Sequence, residues 1–464
     1  MASIADSAAP EIVARIDRLP PSRFLLGLIL RIAVGNWFEA YELFMPGFIS
    51  VGLIDGGVYT VTTQGLLDFH SFSSFLASFF AGMFLSTLVF GWVSDLLGRR
   101  AVFTYSMCAY SLFNLLIALS GSAAWIDLWR FLAGLAVGIQ LINNDSYMSE
   151  LTPRALRGRY MALAWTAVLS AVPVTAFLSM ILVPHHPLGL AGWRWVVFIG
   201  SLGGIAVWFV QRSIPESPRW LATHGREREA DEVVATIERQ MGVSAERDLA
   251  PIAAASALPI QREGRWQEMF SGRYLPRTLI ISVFQFCQTI GVFGFTSWVP
   301  ILLARRGITV VHSLQYTFMV VLLTPIGGLL GTYLSERFER KWQLVGACLT
   351  IAGFGFGFAL FDTVFLIVLS GAAVVLGNNW LISVFHSYAA ELFPTRIRAR
   401  ALGFTFCWSR LSAVFVGYWV AEILAHYGVI GVFALIGGAM AVIVIVIGAF
   451  GPRTNGRSLE VLSP

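Results

Sequence analysis

One stretch of this sequence occurs twice, and that repeat restricts the folds open to the chain. Asp145-Ser-Tyr-x-x-Glu150-Leu-x-Pro153-x-x-x-Arg157-x-Arg159 returns as His386-Ser-Tyr-x-x-Glu391-Leu-x-Pro394-x-x-x-Arg398-x-Arg400, 241 positions later. The same offset carries Ser94-Asp95 onto Ser335-Glu336 and Arg99-Arg100 onto Arg340-Lys341. Two separate matches in one register point to an internal duplication. In an apolar chain, a parallel duplication is a mark of transporters.

The sequence between these copies needs lipid as its solvent. It is 56% hydrophobic and 13% charged, against about 25% charged in a soluble domain. Twelve apolar spans of bilayer length follow one another. They lie at about 24–54, 69–94, 101–120, 125–149, 158–183, 194–212, 275–304, 312–335, 342–361, 364–390, 398–424 and 428–451. Irregular backbone is excluded from contact with lipid, so these spans are expected to be helices. The fold class is all-α membrane protein.

The basic residues set the orientation. With the N-terminus inside, the inner segments hold 26 basic residues and the outer ones hold Arg130, Arg194, Arg305 and Arg306. Both termini are therefore expected in the cytoplasm, in a plasma membrane. The first 23 residues have no apolar signal-peptide core and read as an amphipathic lead-in. Net charge is +5, but the cations sit in alternate loops without forming one patch, so nucleic acid is not an expected partner. Cys108, Cys287, Cys348 and Cys407 all fall in apolar segments and read as packing residues; no metal spacing is present. No nucleophile–base pair or phosphate loop stands at useful spacing, so the chain does not read as an enzyme, and no cofactor is expected.

The expected divisions are a segment 1–23, a first half 24–212, a linker 213–274, a second half 275–451 and a tail 452–464. In the linker, Arg226 to Met241 carries Ala230, Val233, Val234 and Ile237 on one stripe. It reads as a solvated tether or as a latch across the halves. Residues 250–262 are rich in Ala and Pro. Gly134-x3-Gly138, Gly327-x3-Gly331 and Gly353-x3-Gly357 mark close helix contacts.

Gly91-Trp-Val-Ser94-Asp95-Leu-Leu-Gly98-Arg99-Arg100 resembles the signature loop of the major facilitator superfamily. Arg130-x3-Gly134-x3-Gly138, with Tyr147-x-x-Glu150-x-x-Pro153-x3-Arg157-Gly158, is similar to the fourth-helix signature of its sugar-porter and organic-ion branches. Pro215-Glu-Ser-Pro-Arg219 resembles the sugar-porter loop. Trp37-Phe38-Glu39-Ala40-Tyr41-Glu42-Leu43-Phe44 looks like the first-helix acidic motif of the nicotinate and aromatic-acid–proton symporters. The resemblance implies two six-helix bundles, a central cavity and alternating access. Asp145 stands where sugar porters carry proline.

Charges inside a membrane are costly, which makes each one a functional candidate. Glu39 and Glu42 lie three apart, on neighbouring parts of one helix face. Two acids together in a dry cavity would leave at least one holding a proton near neutral pH. A static pair with Arg31 or another cation is the alternative. Asp145 and His386 occupy equivalent repeat positions and read as a second proton couple or inner gate. Arg410, about 18 Å into the eleventh span, reads as the grip for a substrate carboxylate or as a structural ion pair. Tyr41, Gln140, Asn144, Gln285, Gln288, Asn379 and Trp408 complete the expected substrate site. The expected gate charges are Arg31, Asp95, Arg99, Arg100, Glu150, Arg157, Glu336, Arg340, Glu391 and Arg398.

The reading is a monomeric secondary transporter that imports a small organic anion, aromatic or otherwise, with protons. The alternatives are a sugar or polyol symporter, an organic-cation or drug carrier, and a nutrient receptor on the same fold.

Overall fold

The computed structural model describes residues 5–65, 68–89, 93–243, 266–272, 274–335 and 337–454. Among these residues the chain is almost wholly helical, with one isolated bridge between Thr60 and Ser71. Eleven helices are long and apolar enough to cross a membrane. The last, Thr395–Ile445, is two spans run together. It breaks at Gly428, whose φ of 64° and ψ of −162° suit glycine alone. Counted so, the protein is a twelve-span membrane protein, and each expected span is met by a helix.

The first half comprises Arg23–Asp55, Phe72–Val89, Arg99–Leu119, Ala123–Leu151, Arg157–Leu182 and Gly192–Ser213. The second comprises Leu275–Thr296, which resumes as Val299–Arg305, then Val310–Gly331, Arg340–Leu360, Val364–Ala389 and the two parts of the last helix. The N-terminal helix and the arginine-rich connections share one end, the basic end. The other is the far end.

Local chemistry starts several of the helices. The Ser22 hydroxyl accepts from the Leu25 amide at 3.0 Å and caps the first span. Gly98, at φ 92°, turns the chain into the third span. There the Glu216 carboxylate accepts from the amides of Arg99 and Arg100 at 2.9 and 3.1 Å, placing negative charge on a helix N-terminus. Ser217 caps the next short helix through the Trp220 amide at 3.2 Å. The Pro215–Arg219 motif is thus a double cap that ties the linker to the third span.

The expected small-residue contacts hold in full for two of the three motifs and in part for the third. A Cβ on Gly134 would sit 2.1 Å from the Phe79 carbonyl oxygen, and one on Gly82 equally close to that of Phe131. The second and fourth spans therefore touch backbone to backbone. Gly327 and Gly331 do the same for the eighth and tenth, against Asn379 and Ser383. The third motif holds at one of its two glycines: a Cβ on Gly357 would sit 3.0 Å from the Ser370 hydroxyl of the tenth span, while nothing lies within 4 Å of one on Gly353.

The linker helix Glu227–Gln240 buries Ala230, Val234 and Ile237, as its stripe requires. Ala230 and Val234 pack with Ile12 and Ile16 of the N-terminal helix Ala5–Asp17 and with Trp220 and Leu221. Arg15 pairs with Glu238 at 2.7 Å and with Asp231 at 3.0 Å. The Glu238 hydrogen bond holds the Arg15 guanidinium above its usual value. Asp17 pairs with Arg219 at 3.1 Å and accepts from the Arg154 amide at 3.0 Å. The helix is thus docked onto first-half elements. Residues 250–262 lie outside the described part.

Replacing Gly134 by valine is expected to cost about 1–3 kcal/mol through overpacking, while Gly353→Ala should be neutral or slightly stabilising. Thermal unfolding of the detergent-purified protein, followed through its buried thiols, compares the two. Equal effects would contradict the packing described.

Candidate functional site

Glu39, Asp145, His386 and Arg410 come together between the halves. Glu39 is 7% exposed and has no hydrogen bond or ion pair among the described residues. The charges that act on it are Asp145, on the fourth span, and Arg410, on the eleventh. Arg410 donates to the Phe406 carbonyl at 3.0 Å, one turn back on its own helix, and lies 3.4 Å from the Ser409 hydroxyl. Its Nε is buried without a partner, as is Oδ1 of Asp145. His386 sits 5.8 Å from the Phe406 ring, and Arg410 is the charge beside it. His386 is exposed, with Phe385 at 6.4 Å between ring centres. No hydrogen bond or ion pair joins the expected couple of Asp145 and His386 among the described residues; Asp145 is the acid that acts on Glu39, and Arg410 is the charge beside His386.

Glu39 and Glu42 do not form a pair. Their spacing makes them neighbours on one face, but their partners differ: the charges acting on Glu39 are Asp145 and Arg410, and Glu42 is held by Arg130. Glu42 is fully buried inside the first half, ion-paired with Arg130. The Arg130 guanidinium lies over the rings of Phe75 and Phe79, at 4.5 and 4.4 Å. The Tyr110 hydroxyl stands 3.3 Å from the Glu42 carboxylate. One turn along the fourth span, Asp127 is 4% exposed and accepts from the Tyr59 hydroxyl at 2.7 Å. Arg130 was expected in an outer loop and lies instead 0% exposed in the fourth helix. It heads the Arg130-x3-Gly134 motif, and that position was the signal for it. Asp127 was missed because a lone acid near a helix start reads as a cap.

The gate charges pair within each half, and in the same way. Arg99 meets Glu150 at 3.1 Å, and Arg340 meets Glu391 at 2.9 Å. These are the same repeat positions, 241 apart. The alternatives across the proline turns do not form: Arg398 donates to the Phe393 carbonyl at 3.1 Å, and Nε of Arg157 has no partner. Arg31 reaches the Ser213 carbonyl at 3.4 Å, between the first and sixth spans. The Arg100 side chain lines a groove of about 790 Å³ with Gln211, Glu216 and Arg226. Glu336 and the side chain of Asp95 lie outside the described part.

The far end is shut by aromatic packing. Phe293 of the seventh span meets Phe80 at 4.7 Å and Phe44 at 6.3 Å between ring centres, and Trp298 meets Phe72 at 5.4 Å. At Gly47 the first span approaches the seventh so closely that a Cβ would sit 2.7 Å from the Thr296 carbonyl oxygen. The two halves therefore touch one another at the far end.

The polar residues expected to line the cavity divide. Gln140 is fully buried with both amide atoms unpartnered. Gln288 donates to Gln285 at 3.0 Å and keeps its own oxygen free of partners. Asn144 donates to Asn36. Asn379 donates to the Val375 carbonyl at 2.8 Å and borders a small void between the halves with Phe44 and Asn378. Tyr41 is corrected: its hydroxyl donates to the Val196 carbonyl at 2.7 Å inside the first half, and the side chain is fully buried. Trp408 is 37% exposed and packs edge-on against Phe404. Among the described residues no group of His, Cys, Asp and Glu is placed to hold a metal ion.

Residues 59–464 match the family described as "Sugar (and other) transporter". The chain is 30% identical to the putative metabolite transport protein YyaJ of Bacillus subtilis, with 96% of each chain covered. It is 29% identical to the niacin transporter NiaP of Acinetobacter baylyi, covering 97% of this chain and 99% of that one. Among solved structures, the inward-open xylose transporter XylE from E. coli superposes with a TM-score of 0.73 at 17% identity, covering 94% of this chain and 99% of that one.

A double-mutant cycle tests the gate pairing. Arg340→Ala and Glu391→Ala are each expected to lower the unfolding temperature, and the double mutant little further. The coupling should be roughly 0.5–1.5 kcal/mol, as for a contact in partial reach of water. Strictly additive losses would show that the two side chains do not support one another.

Proposed function

Because this chain belongs to the sugar (and other) transporter family, within the major facilitator superfamily, we propose that it carries a small organic anion across the membrane together with protons. The observation that carries this reading is Arg410. It is a guanidinium deep between the halves, with an unpartnered Nε and no carboxylate in ion-pair reach among the described residues. A guanidinium so placed suits a planar carboxylate, which it can hold with two parallel bonds. Niacin, the substrate named for the Acinetobacter relative, is an aromatic carboxylate.

The two acids of the first span take different parts in the coupling. Glu39 faces Arg410 from the other half. A proton there removes the negative charge that competes with the substrate for the guanidinium. Glu42 holds Arg130, and a proton there releases it. Loading both from the outside, with the far end open, favours anion entry. The halves then rock, the pairs Arg99–Glu150 and Arg340–Glu391 exchange partners, and substrate and protons leave at the basic end. By the distribution of arginine that end is cytoplasmic, in a bacterial inner membrane, with both termini inside and one chain forming the working unit. The sugar reading draws on the family description and has no use for an unpaired arginine.

Uptake into proteoliposomes tests this with labelled benzoate, nicotinate, hexoses and quaternary amines, with and without an inward proton gradient. A carboxylate is expected to accumulate only with the gradient. Arg410→Ala should raise its KM about 10–100-fold, the loss of a charge-assisted hydrogen bond worth about 1.5–3 kcal/mol. Glu39→Gln and Glu42→Gln should abolish gradient-driven accumulation and retain counterflow. Flux insensitive to pH and to uncouplers would rule out the coupling. Uptake of a hexose or an amine in place of carboxylates would overturn the part given to Arg410.

A further inference from the structure

Arg130 faces two carboxylates and bonds to one of them. Glu42, on the first span, holds its ion pair. Asp127 is three residues earlier on Arg130's own helix, about 4.5 Å along the axis toward the far end, on a neighbouring part of the same face. Each has a group left over: Nε of Arg130 and Oδ2 of Asp127 are both buried with no hydrogen-bond partner. Two complementary unsatisfied groups one turn apart in a dry interior are an unmade bond. The charges do not cancel either. Glu42 and Asp127 together carry two negative charges when ionised, Arg130 carries one positive, and all three are shielded from water. The cluster is neutral only when it holds one proton.

We propose that Asp127 is a second carboxylate station of the coupling machinery, to which the Arg130 guanidinium turns when Glu42 takes up a proton. This rests on the proton-coupled reading given above. In the form seen here Arg130 binds Glu42, and Asp127 is held by the Tyr59 hydroxyl. A proton arriving from water on the Glu42 carboxylate leaves that acid neutral. Arg130 stays charged throughout and keeps a carboxylate partner by closing onto Asp127. Without Asp127, each protonation of Glu42 would strand an arginine in a water-free site, which is strongly unfavourable. The groups that face the cluster are Glu42 from the first span, Tyr59 and His70 from the first connection, Ser74 from the second span and Tyr110 from the third. Across the interface Tyr418, on the eleventh span, feels Asp127 and Asp68. Movement of Arg130 toward Asp127 therefore changes the charge seen by the second half where the far end closes.

The test compares wild type with Asp127→Asn, Asp127→Glu and Tyr59→Phe. The first readout is the pH of half-maximal gradient-driven uptake, with counterflow measured alongside. The second is infrared titration of the protonated-carboxyl signal in detergent, with Glu42→Gln to assign it. Removing Asp127 removes both a like charge and the alternative partner, and each effect makes protonation of Glu42 harder. Asp127→Asn should therefore move both midpoints to more acid pH by about one unit or more. Asp127→Glu should restore them. Tyr59→Phe frees Asp127 for Arg130 and should move them the opposite way. It also decides the matter if Asp127→Asn does not fold. An infrared midpoint that moves in none of these variants overturns the proposal, whatever transport does. Uptake insensitive to pH with a moving infrared midpoint overturns the coupling reading and leaves the two-station exchange standing.

Discussion

A guanidinium that no water reaches must be held on every side by protein, and Arg130 organises the first half in this way. Its partners come from different helices. Glu42 is supplied by the first span and the rings of Phe75 and Phe79 by the second. Tyr110 of the third span stands by the same carboxylate and reaches the Gly200 carbonyl of the sixth at 3.3 Å. Four spans therefore take position around the fourth to satisfy one charge. In lipid, the backbone of each helix is satisfied internally. What remains to set helix against helix is close apolar fit and a few such charges. The backbone contact of Gly82 with Gly134 supplies the fit, and the Arg130 cluster supplies the register.

The same constraint explains what could be read from the sequence. Span number and position follow from apolar length, so twelve helices were legible, including the division of the last stretch in two near Gly428. The charges at the basic end were legible as residues but not as the pairs Arg99–Glu150 and Arg340–Glu391. Glu150 and Arg157 are neighbours in sequence, yet a proline turn separates them. The partner of Glu150 arrives from the loop before the third span, and only three dimensions show it. Glu39 and Glu42 illustrate the limit further. Their spacing places them on adjoining strips of one helix. Which partner each acid meets then depends on where Arg130 and Arg410 lie. Tyr41 failed as a cavity residue for a related reason: its hydroxyl finds an acceptor inside the first half, the Val196 carbonyl of the sixth span.

The duplication separates what the fold needs from what the site needs. Both halves keep the contact of their second and fourth spans and the arginine–glutamate pair at the basic end. A feature kept twice serves the scaffold and its rocking. The internal charges are not kept twice. At the repeat register, Asp127 and Arg130 correspond to Val368 and Gly371, and Arg410 corresponds to Leu169. The fourth span carries buried charge that its counterpart, the tenth, replaces with apolar residues. The eleventh carries a cation that the fifth lacks. The acids Glu39, Glu42, Asp127 and Asp145 all belong to the first half, and Arg410 and His386 to the second. A symmetric pair of bundles would present like charges to one another across the cavity and repel. Putting the acids on one side and the cation on the other makes the interface attractive when empty. If the cargo is an anion carried with a proton, as proposed above, it enters by replacing an attraction that already exists, which ties the occupancy of the site to the distance between the halves.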